Sequence, residues 1–358
     1  MTTTANIAHQ RLSNQLIASP TSGKPGDVVA WLGAVQAQDY LGALWAIGLR
    51  LQSATEADVE QALADRSVVR TWPLRGTLHF VAAGDVRWML DLLGPRMIAR
   101  SSGRFRKLEL DAATLARARE LFSNALQGGS QLTREAMYQV LESAGISAAG
   151  QRGILILWRL AQEGLICFGA RQGKQHTFVL LEEWVPRAKT MQHDQALAEL
   201  ARRYFTSHGP AALPDFVWWS GLAAAEARAA LEMARPHLLQ EVIAGQTYWL
   251  PGSIPARRDE TPTAHLLPAF DEYLVGYKDR RAVLDPRHVK LTNAGGGMLN
   301  PTIVIDGQVM GAWKRTLKNG SVVITPGWFT QQNKADMSAF NMSALQYGTF
   351  LNLPVLLA

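Results

Sequence analysis

Two glutamines separated by one residue follow an apolar helical pattern near the N-terminus, in the string Gln36-Ala37-Gln38-Asp39-Tyr40. Glutamine and aspartate side chains can hold and orient a bound water molecule through hydrogen bonds. Residues two apart point roughly 200° from each other on a helix but share one side of an extended segment. We expect the helix to end near Gln36. The side chains of Gln36 and Gln38 can cooperate only if the chain is no longer helical where they lie.

The same residues allow a second interpretation. Gln36 and Gln38 are also typical of a polar helix terminus, and Asp39 is typical of a turn or a helix cap. The pattern by itself leaves both interpretations open.

Other common catalytic patterns are missing from the sequence. The eight histidines form no His-x-x-x-His pair, and the single cysteine, Cys167, has no partner for a thiolate cluster. There is no Gly-x-x-x-x-Gly-Lys-Ser/Thr phosphate loop and no Gly-x-Ser-x-Gly nucleophile elbow. We therefore expect neither a metal nor a nucleotide cofactor. Cys167 lies between Ile166 and Phe168, as a small core residue would.

Basic residues outnumber acidic ones by 36 to 30, for a net charge of +6, which permits an anionic partner without demanding one. Arg96, Arg100 and Arg104 recur at every fourth position, so we expect them to share one face of a helix that begins near Ala83. They are candidates for phosphate contacts, although a solvated surface produces the same pattern. Arg75 follows an apolar strand, where its guanidinium would reach a phosphate or form a buried ion pair.

Two central stretches share the order helix, turn, helix, hairpin, which is the winged-helix plan. The N-terminal part fits a looser version, and after Pro251 short β-branched runs separated by Gly, Pro and Asn favour a β-rich barrel or sandwich. The expected class is α+β. The expected domains are winged-helix units at 1–110, 111–190 and 191–255 and a barrel-like unit at 256–358, with a linker near 251–262.

Four separated strings resemble the winged-helix DNA-glycosylase family of bacterial DNA repair, which includes AlkZ-type and YcaQ-type enzymes. The resemblance covers nearly the whole chain. The strings are Gln36-Ala37-Gln38, Trp72-Pro73-Leu74-Arg75-Gly76-Thr77-Leu78-His79, Leu266-Leu267-Pro268-Ala269-Phe270-Asp271-Glu272-Tyr273 and Gly311-Ala312-Trp313-Lys314-Arg315.

The resemblance implies a C-shaped molecule of three tandem winged-helix units and a β-barrel that holds duplex DNA on a basic surface. The catalytic Gln-x-Gln of the AlkZ branch corresponds to Gln36 and Gln38, whereas the YcaQ branch has Gln-x-Asp. The AlkZ branch removes bulky N7-alkylguanine and unhooks interstrand crosslinks, aided by a β-hairpin near the minor groove. Leu291 to Val304, with Gly296 and Met298 at its centre, is the candidate hairpin.

The expected function is a monofunctional DNA glycosylase that hydrolyses the N-glycosidic bond of alkylated purines. A non-catalytic winged-helix DNA-binding protein, such as a transcriptional regulator, is the alternative, and a protein-interaction scaffold is a third. The expected partner is double-stranded DNA with alkylated bases. No apolar run approaches the ~18 residues of a membrane span, and no signal peptide pattern is present. We expect a cytoplasmic, nucleoid-associated monomer.

Overall fold

The computed structural model describes residues 4–186, 189–252, 262–295 and 297–358. These residues form two compact units. One unit is discontinuous in sequence and comprises Met1–Glu60 and Leu197–Ala358; the other, the central unit, comprises Gln61–Ala196.

Helices and strands alternate along the described chain, which confirms the α+β class. The helices are α1 (Thr4–Asn14), α2 (Pro25–Leu32), α3 (Tyr40–Gly48), α4 (Glu56–Ala64), α5 (Val86–Arg100), α6 (Ser102–Lys107), α7 (Ala112–Leu126), α8 (Arg134–Ser143), α9 (Arg152–Gln162), α10 (Leu181–Trp184), α11 (His193–His208), α12 (Leu213–Ser220), α13 (Ala224–Ala234), α14 (Glu272–Val275) and α15 (Lys334–Leu351). The strands are β1 (Val35–Gln36), β2 (Val68–Thr71), β3 (His79–Ala82), β4 (Leu132–Thr133), β5 (Ile166–Phe168), β6 (Thr177–Leu180), β7 (Leu238–Ile243), β8 (Gln246–Pro251), β9 (Ala264–Leu267), β10 (Asn293–Gly295), β11 (Met298–Leu299), β12 (Thr302–Ile305), β13 (Gln308–Lys318), β14 (Ser321–Trp328) and β15 (Val355–Leu357).

The central unit is built on antiparallel strands in the order β3-β2-β5-β6-β4. Its helices α7, α8 and α9 bury an apolar cluster that includes Phe122, Leu141 and Ile156. Cys167 lies within β5 and is fully buried, as its apolar neighbours predict. Burial raises the pKa of the Cys167 thiol, which makes it a poor nucleophile.

The discontinuous unit contains a second sheet, in the order β15-β14-β13-β12-β9. Its strands pair antiparallel except β14 and β15, which run parallel. Helix α15 packs against this sheet, and Trp45 of α3 donates from Nε1 to the Leu266 carbonyl at 2.6 Å. The Trp45 ring also lies 5.0 Å from Tyr347 of α15. These contacts fix α3 on the end of the sheet that leads into the Asp271-Glu272 segment.

The two helix, turn, helix, hairpin patterns are confirmed at the level of their elements. Thr133 caps α8 by accepting from the Ala136 amide at 3.3 Å, and α9 and the antiparallel β5-β6 pair follow. In the second stretch, α12 ends at Gly221 in a left-handed conformation, and α13 and the β7-β8 pair follow. That these segments form winged-helix units, and that the chain has four domains, stay predictions.

Three expectations need correction. Helix α2 ends at Leu32, four residues before the expected end, because Gly33 adopts φ +81°. The expected arginine helix breaks at Ser101, so Arg96 and Arg100 lie in α5 whereas Arg104 lies in α6. The C-terminal strands form a sheet with β15 and β9 at its edges instead of a closed barrel, and α15 covers it. Most of the expected 251–262 linker lies outside the described residues.

Candidate functional site

Gln36 and Gln38 lie on one side of an extended segment between α2 and α3. The Gln36 Nε2 atom donates a hydrogen bond to Gln38 Oε1 at 2.5 Å. Gln36 is buried, with 7% of its surface exposed, whereas Gln38 is exposed to solvent. The geometry that cooperation between the two amides requires is therefore present, because the helix stops before them.

Asp39 begins α3 as its N-cap. Its carboxylate accepts from the Gly42 amide at 3.2 Å, which confirms the cap interpretation. Gly42 leaves room for this contact, since a Cβ atom there would lie 2.5 Å from Asp39 Oδ2. The next residue, Tyr40, donates from its hydroxyl to Glu60 at 2.8 Å. The cap and this contact fix the direction in which the chain leaves the glutamine pair.

Glu272 holds the glutamine segment from the inside of the discontinuous unit. Its Oε1 atom accepts from the Gln36 backbone amide at 3.0 Å, and its Oε2 atom accepts from Trp219 Nε1 at 2.9 Å. His208 Nε2 lies 3.4 Å from the same Oε2 atom. Glu272 is 1% exposed and His208 is fully buried, so this carboxylate has its partners within the protein. The arrangement fixes the Gln36 backbone with a strong charged acceptor.

His208 is held in turn by its own neighbours. Its ring stacks on Tyr204 with centroids 4.8 Å apart, and Ser207 Oγ lies 2.8 Å from Nδ1. Tyr204 donates to the Gly276 carbonyl at 2.9 Å. Burial raises the pKa of Tyr204 well above its usual value, and the nearby Asp215 carboxylate raises it further. Tyr204 therefore stays protonated and continues to donate that hydrogen bond.

The residue before Glu272 forms a buried ion pair. Asp271 accepts two hydrogen bonds from Arg50, each 2.9 Å long, and both side chains are fully buried. Arg50 also donates to the Ala46 carbonyl at 2.6 Å and to the Gln15 carbonyl at 2.9 Å. These contacts tie the start of α14, where Asp271 is the N-cap, to the end of α3.

The arginines predicted to contact DNA lie in the central unit. Arg75 occupies a turn closed by a 3.0 Å hydrogen bond from the Thr77 amide to the Leu74 carbonyl, with φ +52°. It is half-buried, as is Arg96, whereas Arg100 and Arg104 are exposed. Arg104 donates to Gln151 Oε1 at 2.9 Å. The structure does not place the three stripe arginines on one helix face, because the chain turns at Ser101.

The hairpin in the structure is shorter than the predicted one, which ran from Leu291 to Val304. Strands β10 and β11 pair antiparallel, with Asn293 opposite Leu299, while residues 302–304 belong to β12 of the large sheet. Met298 is 52% exposed on this ribbon. The second predicted residue, Gly296, lies outside the described residues. A 2.9 Å hydrogen bond from the Asn300 amide to the Thr292 carbonyl ties the base of the hairpin.

The sequence did not reveal the contribution of His208 and Trp219 to the site. Glu272 lies within one of the four strings that carry the resemblance, so the sequence did draw attention to it. Its contact with Gln36, however, joins residues 236 positions apart. His208 and Trp219 carried no motif that connects them with the glutamines. Within the described ranges, no three His, Cys, Asp or Glu side chains are grouped as metal ligands. No described helix is long and apolar enough to cross a membrane.

Comparisons with known proteins agree with the resemblance. The family model "DNA glycosylase AlkZ-like" matches residues 29–350. An interstrand DNA cross-link repair glycosylase from Streptomyces sahachiroi is 25% identical over 339 residues, covering 88% of each protein. The solved structure of the Streptomyces sahachiroi DNA glycosylase AlkZ superposes with a TM-score of 0.81 at 23% identity, over 99% of each chain, and so shares the fold. The chain thus belongs to the AlkZ-like family of DNA glycosylases.

Proposed function

We propose that this DNA glycosylase removes N7-alkylated guanine from duplex DNA by hydrolysis, leaves an abasic site, and acts on interstrand crosslinks of the same chemistry. The observation that carries the proposal is the Gln36-Gln38 hydrogen bond, backed by the buried Glu272 carboxylate. The crosslink substrate is suggested by the curated relative, which is an interstrand cross-link repair glycosylase.

The substrate class follows from what the glutamine pair can do. An N7-alkylated guanine is cationic and leaves without protonation, so the enzyme needs no general acid. A neutral base leaves far less readily. Two amides without a strong acid or base therefore suit a substrate whose leaving group is already activated.

The remaining catalytic task is at the sugar, where C1′ gains positive charge as the bond breaks. Gln38 Oε1 accepts a hydrogen bond from Gln36 and has a second lone pair with which it can accept a hydrogen bond from the attacking water, whose proton passes to solvent after it bonds to C1′. The carbonyl dipole also offsets the charge at C1′. Glu272 uses both carboxylate oxygens as acceptors and fixes Gln36 for this role. Asp39 is the third candidate acceptor.

In this proposal, four arginines and the β10-β11 hairpin bind the DNA. Arg75, Arg96, Arg100 and Arg104 would bind backbone phosphates, which fixes position without reading sequence. Met298 of the hairpin would approach the minor groove, where exposed apolar side chains wedge between bases, and Gly296 stays a candidate from the sequence. No lysine adjoins the glutamine pair in sequence, so the proposal includes hydrolysis alone and no Schiff-base lyase step.

The proposal is tested with two duplexes, one carrying a single N7-methylguanine and the other a single uracil, each treated with alkali after incubation. We expect strand breaks from the methylated duplex and none from the uracil duplex, because cationic N7-methylguanine leaves as a neutral base whereas uracil, neutral in DNA, has to leave as an anion. A nitrogen-mustard crosslinked duplex tests the second substrate in the same assay. Tight DNA binding without breaks in any alkylated duplex would contradict the proposal and favour a non-catalytic DNA-binding protein.

A further inference from the structure

The central unit contains a cavity of about 430 Å³ between the start of α8 and the β5-β6 pair. This volume lies within the range of small-molecule sites, roughly 300–1,000 Å³. Tyr138, Phe168 and Phe178 are among its lining residues; Tyr138 is half-buried, whereas Phe168 and Phe178 are buried. It is formed entirely by residues other than those of the glutamine site.

Cations surround this cavity. Arg134 and Lys174 line the cavity and are exposed, and neither makes an ion pair with any residue in the described ranges. Arg70 is buried, and its guanidinium carbon lies 4.8 Å from the centroid of the Phe168 ring. Glu135 is the one carboxylate among the lining residues. Arg134 also begins α8, whose N-terminus adds partial positive charge.

The pKa of His176 reflects the positive charge around the cavity. Its ring lies 5.7 Å from Phe168 in an edge-to-face arrangement. Burial, together with the charges of Arg70, Arg171 and Arg134, lowers the pKa of His176 to about 4. His176 is therefore neutral at physiological pH.

We propose that this cavity binds a free planar anion of the mononucleotide class, with its ring against Tyr138 and its phosphate on Arg134 and Lys174. Aromatic rings bind nucleobases by stacking regardless of sequence, and guanidinium groups bind phosphate with paired hydrogen bonds. The site is independent of the proposed base excision. It gives the protein a second ligand site in the central unit.

The test is isothermal titration of the full chain with 2′-deoxyguanosine 5′-monophosphate. We expect saturable one-to-one binding that Arg134→Ala or Lys174→Glu weakens by about tenfold or more, since each variant removes a charged phosphate contact. Arg117→Ala removes an exposed arginine elsewhere in the central unit and should bind as the wild type does. Gln36→Ala/Gln38→Ala should also retain binding. Thermal unfolding of each variant checks that the central unit stays folded.

Several results would overturn the assignment. The first is that millimolar nucleotide shows no saturable binding. The second is that inorganic phosphate alone, or deoxyguanosine alone, binds as tightly as the nucleotide. The third is that the Gln36→Ala/Gln38→Ala variant no longer binds the nucleotide. A single-stranded trinucleotide that binds more tightly than the mononucleotide would also overturn it, because the site would then serve a DNA strand.

Discussion

At the scale of single residues, Gln36 is held at both its side chain and its backbone. Its side chain donates to Gln38 at 2.5 Å, and its backbone amide donates to Glu272 at 3.0 Å. The same carboxylate accepts from Trp219. A change at Glu272 therefore acts on the glutamine pair without touching either glutamine.

We predict that Glu272→Ala lowers the free energy of unfolding by about 2–4 kcal/mol, because it leaves two buried N–H donors without their acceptor. Single-turnover excision should fall at least about tenfold at a temperature where the variant is folded. Urea unfolding and single-turnover kinetics measure the two effects. Glu120→Ala, at an exposed position, should change neither quantity. Full excision activity in folded Glu272→Ala would show that the carboxylate does not position Gln36.

At the scale of elements, the arginine stripe is divided between α5 and α6 at Ser101, so Arg100 and Arg104 belong to two helices. Both are exposed. Short helices that meet at a turn can still contact one DNA backbone, because phosphate contacts do not require a continuous helix face.

Arg100→Ala/Arg104→Ala is expected to weaken binding to undamaged duplex and to reduce the slope of log K against log salt by about 1–2. Fluorescence anisotropy at several salt concentrations measures the slope. Arg202→Ala/Arg235→Ala removes two exposed arginines whose partners are Glu199 and Glu232 and serves as the charge-matched control. An unchanged slope in the α5-α6 variant would remove these arginines from the DNA interface.

The β10-β11 hairpin presents an apolar side chain to solvent, with Met298 52% exposed. We predict that Met298→Gln slows excision by about tenfold with no loss of stability, because an apolar wedge into the base stack is lost. Met342→Gln on α15, where Met342 is 65% exposed, is the control for replacing a surface methionine. Equal excision rates for the two variants would contradict a role for the hairpin.

Local sequence signals predicted many elements and failed at others for identifiable reasons. The expected helix, turn, helix, hairpin order and the β-rich unit depend on signals that act within a few neighbouring residues: Thr133 caps α8, Gly221 ends α12, and the β-branched run at 302–305 forms β12. The break at Ser101 was not predicted, because the nearest Gly and Pro, Gly103 and Pro95, both lie inside helices and do not mark the junction. Helix α15 was not predicted, because the Gly, Pro and Asn residues that precede it favoured a β-rich unit.

The candidate site was predictable only in part. Gln36, Gln38 and Asp39 lie within four consecutive residues. Once the end of the helix is known, the placement of both glutamine side chains on one side of the extended segment follows. Their contact with Glu272 joins positions 236 apart, and a contact at that separation depends on the whole fold of the discontinuous unit. Local spacing carries no information about such a contact.

At the scale of the whole molecule, the free energy of unfolding should depend on pH through His265, which the fold holds neutral. Burial and the charge of Arg50 lower the pKa of His265 from 6.5 to about 4. Between these pH values the unfolded chain binds a proton that the folded chain does not, so stability is lost as pH falls through this window.

We predict that His265→Gln flattens the decline of unfolding free energy between pH 6.5 and 4, by at most about 1.4 kcal/mol per pH unit for one proton. Urea unfolding at a series of pH values gives the slope. His237→Gln replaces an exposed histidine and should leave the slope as in the wild type. A His265→Gln slope equal to that of the wild type would show that His265 is not held neutral by the fold.

The account rests most directly on the glutamine pair, and single-turnover excision of N7-methylguanine by Gln36→Ala/Gln38→Ala is the measurement that tests it. We predict a rate at least about 100-fold below wild type, equivalent to about 2.7 kcal/mol of transition-state stabilisation, with the dissociation constant for the same duplex within a few-fold. Gln139→Ala, an exposed glutamine on α8, should retain the wild-type rate. A double variant that binds DNA and excises the base at the wild-type rate would contradict the central claim.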